Sequence, residues 1–253
     1  MYLIHCGIMS KTDKGCANML KYVLFDLDGT LLPMDQDVFV RAYFKELVKK
    51  IAPLGYEPEK LKNAVWTGMK YMVGNDGTQT NEEVFWKSFR ECLGEEILLH
   101  RSAFDEFYRN EFNLVQKVCG FTPKAAETVQ LIKDHYIKTA VATLPVFPAP
   151  AIEARIRWAG VDPDTMEFYT SYETCSYTKP HPMYYQQILG KLDAAPQECL
   201  MVGNNVDEDM IARTVGMQVF LLTDDLINEH QTDISVYPNG SFDELQQFIL
   251  SQL

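Results

Sequence analysis

Two aspartates separated by one residue, Asp26 and Asp28, stand where an apolar run ends in the sequence Asp-Leu-Asp-Gly-Thr. Because side chains alternate along a strand, carboxylates at this spacing point to the same side of a strand end. One carboxylate can then attack phosphorus and form an aspartyl-phosphate, while the other protonates the leaving oxygen and later activates water. Two close carboxylates also repel each other, so we expect a cation beside them. A simple turn after a strand is the alternative interpretation.

Three other segments carry polar residues to the ends of apolar runs. Thr143 ends a second run, Lys179 lies in Tyr-Thr-Lys-Pro-His-Pro, and the segment 203–209, Gly-Asn-Asn-Val-Asp-Glu-Asp, ends a third. In an open α/β sheet the carboxyl ends of the strands meet at one crevice. We therefore expect a hydroxyl, an ammonium and an acidic turn around the paired aspartates, which favours a catalytic site over a simple turn.

Apolar runs of strand length alternate with segments of helical periodicity along most of the chain. The predicted strands are 21–25, 137–142, 167–170, 199–202 and 218–222. The predicted helices among them are 123–134, 149–158, one after Pro182, 206–215 and 242–253. This alternation predicts a doubly wound α/β fold with a parallel sheet covered on both faces.

Between the first and second predicted strands, only helical periodicity is found. The predicted helices there are 38–51, 61–72, 81–93 and 102–118. We therefore predict an all-helical insertion over residues 36–119, within an α/β core of residues 19–35 and 120–253. A further methionine, Met19, precedes the first strand, and residues 1–18 are predicted to be an extension dispensable to the fold.

The composition excludes several classes of protein. The chain has 253 residues, 47% of them hydrophobic, and a formal net charge of −12. This apolar content argues against intrinsic disorder, and the acidic excess without a basic run argues against nucleic-acid or membrane partners. No apolar stretch reaches the roughly 20 residues that cross a bilayer, and the six cysteines include no C-x-x-C pair. We expect a cytoplasmic protein with reduced thiols and no zinc site.

The four motifs, in this order, resemble those of the haloacid dehalogenase (HAD) superfamily, and the resemblance spans Met19 to Leu253. The match is to phosphatase-like members, since dehalogenases and phosphonatases carry other residues at the position of Asp28. The resemblance implies a Rossmann-like HAD core, and it identifies the insertion as a type 1 helical cap that closes over the site. It implies a magnesium-dependent phosphatase that acts on a small phosphorylated metabolite through an aspartyl-phosphate.

The resemblance also implies roles for single residues. Asp26 would be the nucleophile and a Mg²⁺ ligand, and Asp28 would be the general acid and base, with its backbone carbonyl on the metal. Thr143 would hydrogen-bond the phosphoryl oxygens, and Lys179 would neutralise the charge that builds up during transfer. No cofactor other than the metal ion is implied.

The fourth motif departs from the family pattern. Its implied metal ligands are Asn204, Asn205 and Asp209, and relatives usually have Asp at one of the two asparagine positions. An amide oxygen can bind magnesium but lacks the charge of a carboxylate. Asp209 aligns with an acid that in relatives bonds the lysine or a metal-bound water.

A second set of residues is predicted to contact the substrate. Gly29 and Thr30 would shape the turn, and Leu144 replaces a frequent Asn that contacts the phosphoryl or leaving group. Lys70 and Asp76 belong to the segment 66–77, which ends a cap helix in a Gly-rich turn that could reach the substrate, although a plain helix stop explains this turn equally well.

Two alternative functions remain open at the level of the sequence. A phosphomutase would return the same phosphoryl group to a sugar instead of to water. A catalytically weakened binding or regulatory protein would explain Asn204, Asn205 and Leu144. The sequence predicts a small phosphorylated partner and specifies neither its identity nor the oligomeric state.

Overall fold

The computed structural model describes residues 20–253, so the extension predicted over residues 1–18 lies outside the described residues. The described chain forms a parallel α/β core with helices inserted after the first strand. Within residues 20–253, no helix combines the length and the apolarity that crossing a membrane requires.

The core is built on a single sheet. Its strands are β1 (Tyr22–Phe25), β2 (Lys138–Val141), β3 (Phe168–Tyr169), β4 (Cys199–Gly203), β5 (Gln218–Leu222) and β6 (Asn239–Gly240). All neighbours are parallel, in the order β3-β2-β1-β4-β5-β6. The chain winds outward from β1 to one edge and then crosses to β4, so the direction of winding reverses between β1 and β4. The predicted doubly wound parallel sheet is confirmed, with β6 as an additional strand.

Helices cover the sheet and form the insertion. They are α1 (Gln36–Ile51), α2 (Pro58–Val73), α3 (Asn81–Leu93), α4 (Arg101–Arg109), α5 (Pro123–Asp134), α6 (Ala149–Trp158), α7 (Pro182–Leu192), α8 (Val206–Asp209) and α9 (Phe242–Leu250). The predicted bounds of α3, α5 and α6 are confirmed. Residues 206–215, predicted as one helix, begin as α8 and continue as a 3-10 helix over 210–215.

The prediction of one helix over residues 102–118 is wrong. The α-helix ends at Arg109, and residues 111–118 form a 3-10 helix. Asn110, between the two helices, has φ −115° and ψ −78°, which differ from the values of a regular α-helix. The side chain of Asn113 then donates to the backbone carbonyls of Arg109 at 3.0 Å and Asn110 at 3.2 Å. Asparagine side chains compete with helical hydrogen bonds in this way, a local effect that apolar periodicity does not reveal.

The central strands are buried on both faces. Val23 and Phe25 of β1 pack on one face, together with side chains of α5, α6 and α9. Tyr22 and Leu24 pack on the opposite face, where α7 supplies most of the helical partners. This alternation follows from the twofold repeat of a strand, and it holds the end of β1 rigidly between two apolar layers.

The two chain segments that connect the insertion to the core lie side by side. Met34 and Cys119 form an antiparallel bridge, and the N–H of Gly120 donates to the carbonyl of Pro33 at 2.7 Å. A Cβ at Gly120 would lie 3.0 Å from the Cβ of Pro33. Glycine therefore permits this close approach, and the insertion leaves and re-enters the core at one point.

Aromatic side chains join the inserted helices to the core. Phe112 is fully buried and stacks on Trp158 of α6, with ring centroids 5.2 Å apart. Its edge also meets Phe39 and Tyr43 of α1, each at 6.3 Å. The same apolar cluster includes Phe25 of β1. The insertion thus shares one apolar core with the sheet.

We predict that Phe112→Ala lowers the free energy of unfolding by about 3–5 kcal/mol, because it removes a buried ring and leaves a cavity between the insertion and α6. The matched control is Phe121→Ala, since the Phe121 side chain is 63% exposed and surface changes usually stay within about 0.5 kcal/mol. Urea unfolding followed by circular dichroism measures both. Equal losses for the two variants would contradict the role given to Phe112.

Candidate active site

Neighbouring strands deliver their following residues to one edge of the sheet. The N–H of Asp26 donates to the carbonyl of Val202 at 2.8 Å, and the N–H of Ala142 donates to the carbonyl of Phe25 at 2.7 Å. These bonds continue the pairing of β1 with β4 and β2 beyond the strands themselves. The segments after β2 and β4 therefore leave the sheet beside Asp26, where the winding reverses.

A buried lysine holds two aspartates together at this edge. Nζ of Lys179 donates to Oδ1 of Asp26 at 2.8 Å and to Oδ1 of Asp209 at 2.5 Å. Burial alone would lower the pKa of Lys179, but the two carboxylates raise it well above its usual value, so the ammonium stays charged. Burial raises the pKa of Asp209 to about 7 against the opposing effect of Lys179. The lysine thus screens Asp26 from Asp209.

Asp28 pairs with an arginine that the sequence analysis does not identify. Nη1 of Arg155 donates to Oδ2 of Asp28, and its guanidinium carbon lies 4.6 Å from the ring centroid of Phe147. Burial raises the pKa of Asp28 to about 6, although the charge of Arg155 acts in the opposite direction. Oδ1 of Asp28 is buried without a hydrogen-bond partner among residues 20–253. This oxygen is the one left free to exchange a proton.

The sequence does contain a signal for Arg155. The residue lies four positions after Ala151 and three after Ile152 on α6, and both of these side chains are fully buried. An arginine on the apolar face of a helix is buried only when a partner compensates its charge. Because Arg155 is 1% exposed, its position on that face indicates a buried acid nearby.

The turn after β1 needs a glycine at its third position. Gly29 has a φ of +84°, and a Cβ there would lie 2.4 Å from Nδ2 of Asn204. The neighbouring Thr30 hydroxyl donates to Oδ1 of Asn204 at 3.0 Å and lies 3.3 Å from Oδ2 of Asp26. The turn therefore locks the end of β1 against the end of β4.

Asn204 presents an oxygen to the site. Its Nδ2 donates to the backbone carbonyl of Asp225 at 2.6 Å, which directs Oδ1 towards Thr30 and Asp26. Carboxylate, carbonyl and amide oxygens are the donors that Mg²⁺ takes from proteins, usually with only one or two carboxylates. The Asp26 carboxylate, the Asp28 backbone carbonyl and the Asn204 amide thus fit Mg²⁺ by donor chemistry. No cluster of three or more His, Cys, Asp or Glu that could bind a metal is found within residues 20–253.

The other two predicted metal ligands are engaged in local contacts. Oδ1 of Asn205 accepts the N–H groups of Asp207 at 3.0 Å and Glu208 at 3.2 Å, as the N-cap of α8. Oδ2 of Asp209 accepts the N–H of Asn205 at 3.0 Å, and its Oδ1 bonds Lys179. Asp209 therefore makes the lysine contact that the resemblance offers, and a metal contact from Asn205 or Asp209 stays a prediction.

Asp26, Asp28 and Asn204 are among the residues that line a cavity of about 240 Å³ between the sheet edge and α1 and α2. Asp26, Asp28 and Thr143 form part of its polar end, and Leu144 lines it next to Thr143. The carbonyl of Thr143 is fixed by the hydroxyl of Tyr184 at 2.7 Å. The residues predicted to attack, to exchange protons and to bind phosphoryl oxygens thus share one space.

Lys70 and Asp76 lie outside the walls of this cavity. The Lys70 side chain is exposed on α2. The Asp76 carboxylate accepts the backbone N–H of Thr78 at 3.0 Å and its hydroxyl at 2.6 Å, as in an ordinary turn. Substrate contact by either residue stays a prediction.

Comparison with known proteins identifies related sequences. The profile of a family described as haloacid dehalogenase-like hydrolase matches residues 20–213. The pyrophosphatase PpaX of Bacillus cereus is 26% identical over 183 residues, which cover 72% of this chain and 74% of the relative. A phosphoglycolate phosphatase of Vibrio vulnificus is 23% identical over 205 residues, or 81% of this chain and 84% of the relative.

Solved structures share the fold over nearly the whole chain. A HAD phosphatase from Thermococcus onnurineus superposes with a TM-score of 0.56 at 17% identity, covering 91% of this chain and 98% of that one. A 2-haloacid dehalogenase from Pseudomonas syringae pv. Tomato superposes with a TM-score of 0.59 at 19% identity, covering 92% and 99%. At these identities the similarity establishes the fold of the core and its cap.

We predict that Arg155→Met lowers the free energy of unfolding by roughly 3–5 kcal/mol, because it leaves the Asp28 carboxylate buried without a cation. The matched control is Arg157→Met on the same helix, since Arg157 is exposed and pairs with Glu153. The free energy of unfolding of Arg157→Met should fall by no more than about 1 kcal/mol.

A double variant separates the charge effect from packing. Arg155→Met with Asp28→Leu should recover most of the stability lost by Arg155→Met, because neither charge is then buried alone. Chemical denaturation measures the free energy of unfolding of the wild-type protein, Arg155→Met, Arg157→Met and the double variant. A double variant as unstable as Arg155→Met alone would contradict the charge explanation.

Proposed function

We propose that this chain, which belongs to the haloacid dehalogenase-like hydrolases, is a phosphatase that uses Asp26 as its nucleophile. The chain is thus an enzyme of the hydrolase type, and its substrate would be a small phosphate monoester. The observation that carries the proposal is the convergence of Asp26, Asp28 and Thr143 in the wall of a single cavity, with Nζ of the buried Lys179 2.8 Å from Oδ1 of Asp26. A nucleophile, an acid, a hydroxyl and a cation are the groups that phosphoryl transfer requires.

In the first half of the reaction, a carboxylate oxygen of Asp26 attacks phosphorus and the phosphorus–oxygen ester bond breaks. The leaving alcohol oxygen takes a proton from Asp28, a residue of the cavity wall whose Oδ1 has no hydrogen-bond partner among residues 20–253. The product on the enzyme is an aspartyl-phosphate at Asp26. Lys179 offsets the charge of Asp26, which allows an anionic phosphoryl group to approach it.

In the second half, Asp28 accepts a proton from water as the water attacks phosphorus. Phosphate leaves and the Asp26 carboxylate is restored. Burial raises the pKa of Asp28 to about 6, so both its protonated and its ionised form are accessible near neutral pH. One carboxyl can therefore serve as acid in one step and as base in the next.

Mg²⁺ is the metal that the donor set fits, and it would be held by the Asp26 carboxylate, the Asp28 backbone carbonyl and the Asn204 amide oxygen. When bound, the ion neutralises charge on the phosphoryl oxygens. With Asn204 in place of a carboxylate, the protein offers one negative ligand. We therefore infer a weaker magnesium site than one that holds two carboxylates.

We predict that Asp26→Asn reduces the hydrolysis of p-nitrophenyl phosphate by at least about 1,000-fold, because an amide does not form the phosphorylated intermediate. Release of nitrophenolate in the presence of Mg²⁺ measures the rate. The fold of the variant is checked by circular dichroism. Full activity of Asp26→Asn would contradict the proposed nucleophile.

We predict that Asn204→Asp lowers the Mg²⁺ concentration for half-maximal activity by about tenfold, because it adds a charged ligand beside Asp26. Asn205→Asp is the matched comparison. Its side chain caps α8, Asp is an equally good N-cap, and the shift should be smaller. A magnesium titration of phosphatase activity measures both variants. An inert wild-type protein that gains activity through Asn204→Asp would instead support a catalytically weakened binding protein.

A further inference from the structure

The cavity above Asp26 extends into the cap. The main cavity of about 240 Å³ adjoins a smaller one of about 20 Å³, and the walls of both include Tyr43, Met69, Val146 and Phe147. Because the phosphoryl group must reach Asp26 at the sheet edge, the alcohol part of a substrate points towards this cap end. The chemistry of the cap end therefore selects the alcohol.

Apolar side chains form the cap end of the main cavity. They are Phe39, Val40, Tyr43 and Phe44 of α1, with Trp66 and Met69 of α2. Tyr43 is 4% exposed, and its hydroxyl bonds that of Tyr108 at 2.9 Å. The hydroxyl is therefore already partnered, and the ring is what Tyr43 offers to a ligand.

No positive side chain is available at the cap end. Among residues 20–253, the walls of the main cavity include no Lys, Arg or His. Two buried cations among residues 20–253 lie nearby, outside the cavity wall, and each is paired with carboxylates, Lys179 with Asp26 and Asp209, and Arg155 with Asp28. Nη2 of Arg155 has no hydrogen-bond partner among the same residues. A carboxylate or a second phosphate on the alcohol would lie there without a counterion, which is unfavourable.

We infer that the substrate is the phosphate monoester of a small apolar alcohol, of about the size of a single aromatic ring. The inference rests on the proposed phosphatase function and deepens it. Uncharged apolar groups gain from contact with Phe44, Trp66 and Met69, whereas anionic groups find no partner. The volume of about 240 Å³ lies below the roughly 300–1,000 Å³ of pockets for drug-sized ligands, which sets the limit on size.

Four phosphate esters of primary alcohols test the inference. They are benzyl phosphate, with an apolar alcohol; glycerol 3-phosphate, with a polar one; phosphoglycolate, with an anionic one; and phosphocholine, with a cationic one. With Mg²⁺ present, we expect kcat/KM for benzyl phosphate to exceed that for glycerol 3-phosphate by about tenfold and that for phosphoglycolate by about 100-fold. A preference for any of the other three overturns the inference and leaves the phosphatase function standing.

A charge placed on the cap should remove the preference for benzyl phosphate over phosphoglycolate. Met69 is half-buried in the cavity wall, and Lys has a similar length. Met69→Lys should raise kcat/KM for phosphoglycolate and lower that for benzyl phosphate, each by about tenfold. The matched control is Val73→Lys, which adds the same charge to α2 at a residue 54% exposed and outside the cavity. The control should keep the wild-type ratio of the two substrates, and equal ratios in both variants would overturn the inference.

A binding measurement separates failure of the inference from failure of the proposed function. Isothermal titration calorimetry with the Asp26→Asn protein gives the affinity for each ester without turnover. Benzyl phosphate should bind about tenfold more tightly than glycerol 3-phosphate. If the wild-type protein hydrolyses none of the esters while this order of affinity holds, the phosphatase function fails and the apolar cavity is supported. If benzyl phosphate binds no more tightly than phosphoglycolate, the inference fails whatever the turnover.

Discussion

The balance of buried charge at the end of β1 is the constraint on which the site depends. Asp26, Asp28 and Asp209 would each be costly to bury as isolated carboxylates. Lys179 bridges two of them at 2.8 and 2.5 Å, and Arg155 meets the third. Both cations come from parts of the chain far from Asp26 in sequence, so the charges are balanced only when the sheet is assembled. The site is consequently a product of the complete fold.

This balance also explains how an acidic chain can receive an anion. The net charge is −12, and the described cavity wall adds no cation of its own. Lys179 and Arg155 compensate carboxylates that are already present, so in the proposed reaction the phosphate depends on Thr143 and the metal ion. Charged groups therefore act at the sheet edge, and apolar contacts are made at the cap.

The sequence predicts the fold well because strand and helix leave periodic traces. The winding of the sheet, the position of the helical insertion and the convergence of its strand ends follow from such traces. The bonds from the Asn113 side chain to the carbonyls of Arg109 and Asn110 leave no such trace, which is why the division of the helix over 102–118 is not predicted. Arg155 is missed for a related reason. Its partner Asp28 lies across the fold, and spacing along α6 alone does not show which acid it meets.

Asn204 and Asn205 show that the sequence also does not predict the orientation of a side-chain amide. Adjacent in sequence, Asn204 and Asn205 are equivalent candidates for the metal. The structure separates them, because the backbone carbonyl of Asp225 turns one amide towards Asp26, while the N-terminus of α8 takes the other. Roles that depend on the orientation of an amide become visible only when its partners are in place.

The two linkers of the insertion are bonded to each other, Pro33 to Gly120 and Met34 to Cys119. The inserted helices are therefore a side branch of the core. The two ends of the insertion are adjacent there, as they would be if a tight turn joined them directly. Loop-closure entropy rises by only about 0.6 kcal/mol for each doubling of loop length. Descendants of such a chain can therefore lengthen or shorten the branch at little cost in chain entropy, as long as the aromatic contacts of Phe112 with α6 are kept. The catalytic residues of the core and the cap residues that select the alcohol can thus evolve at different rates.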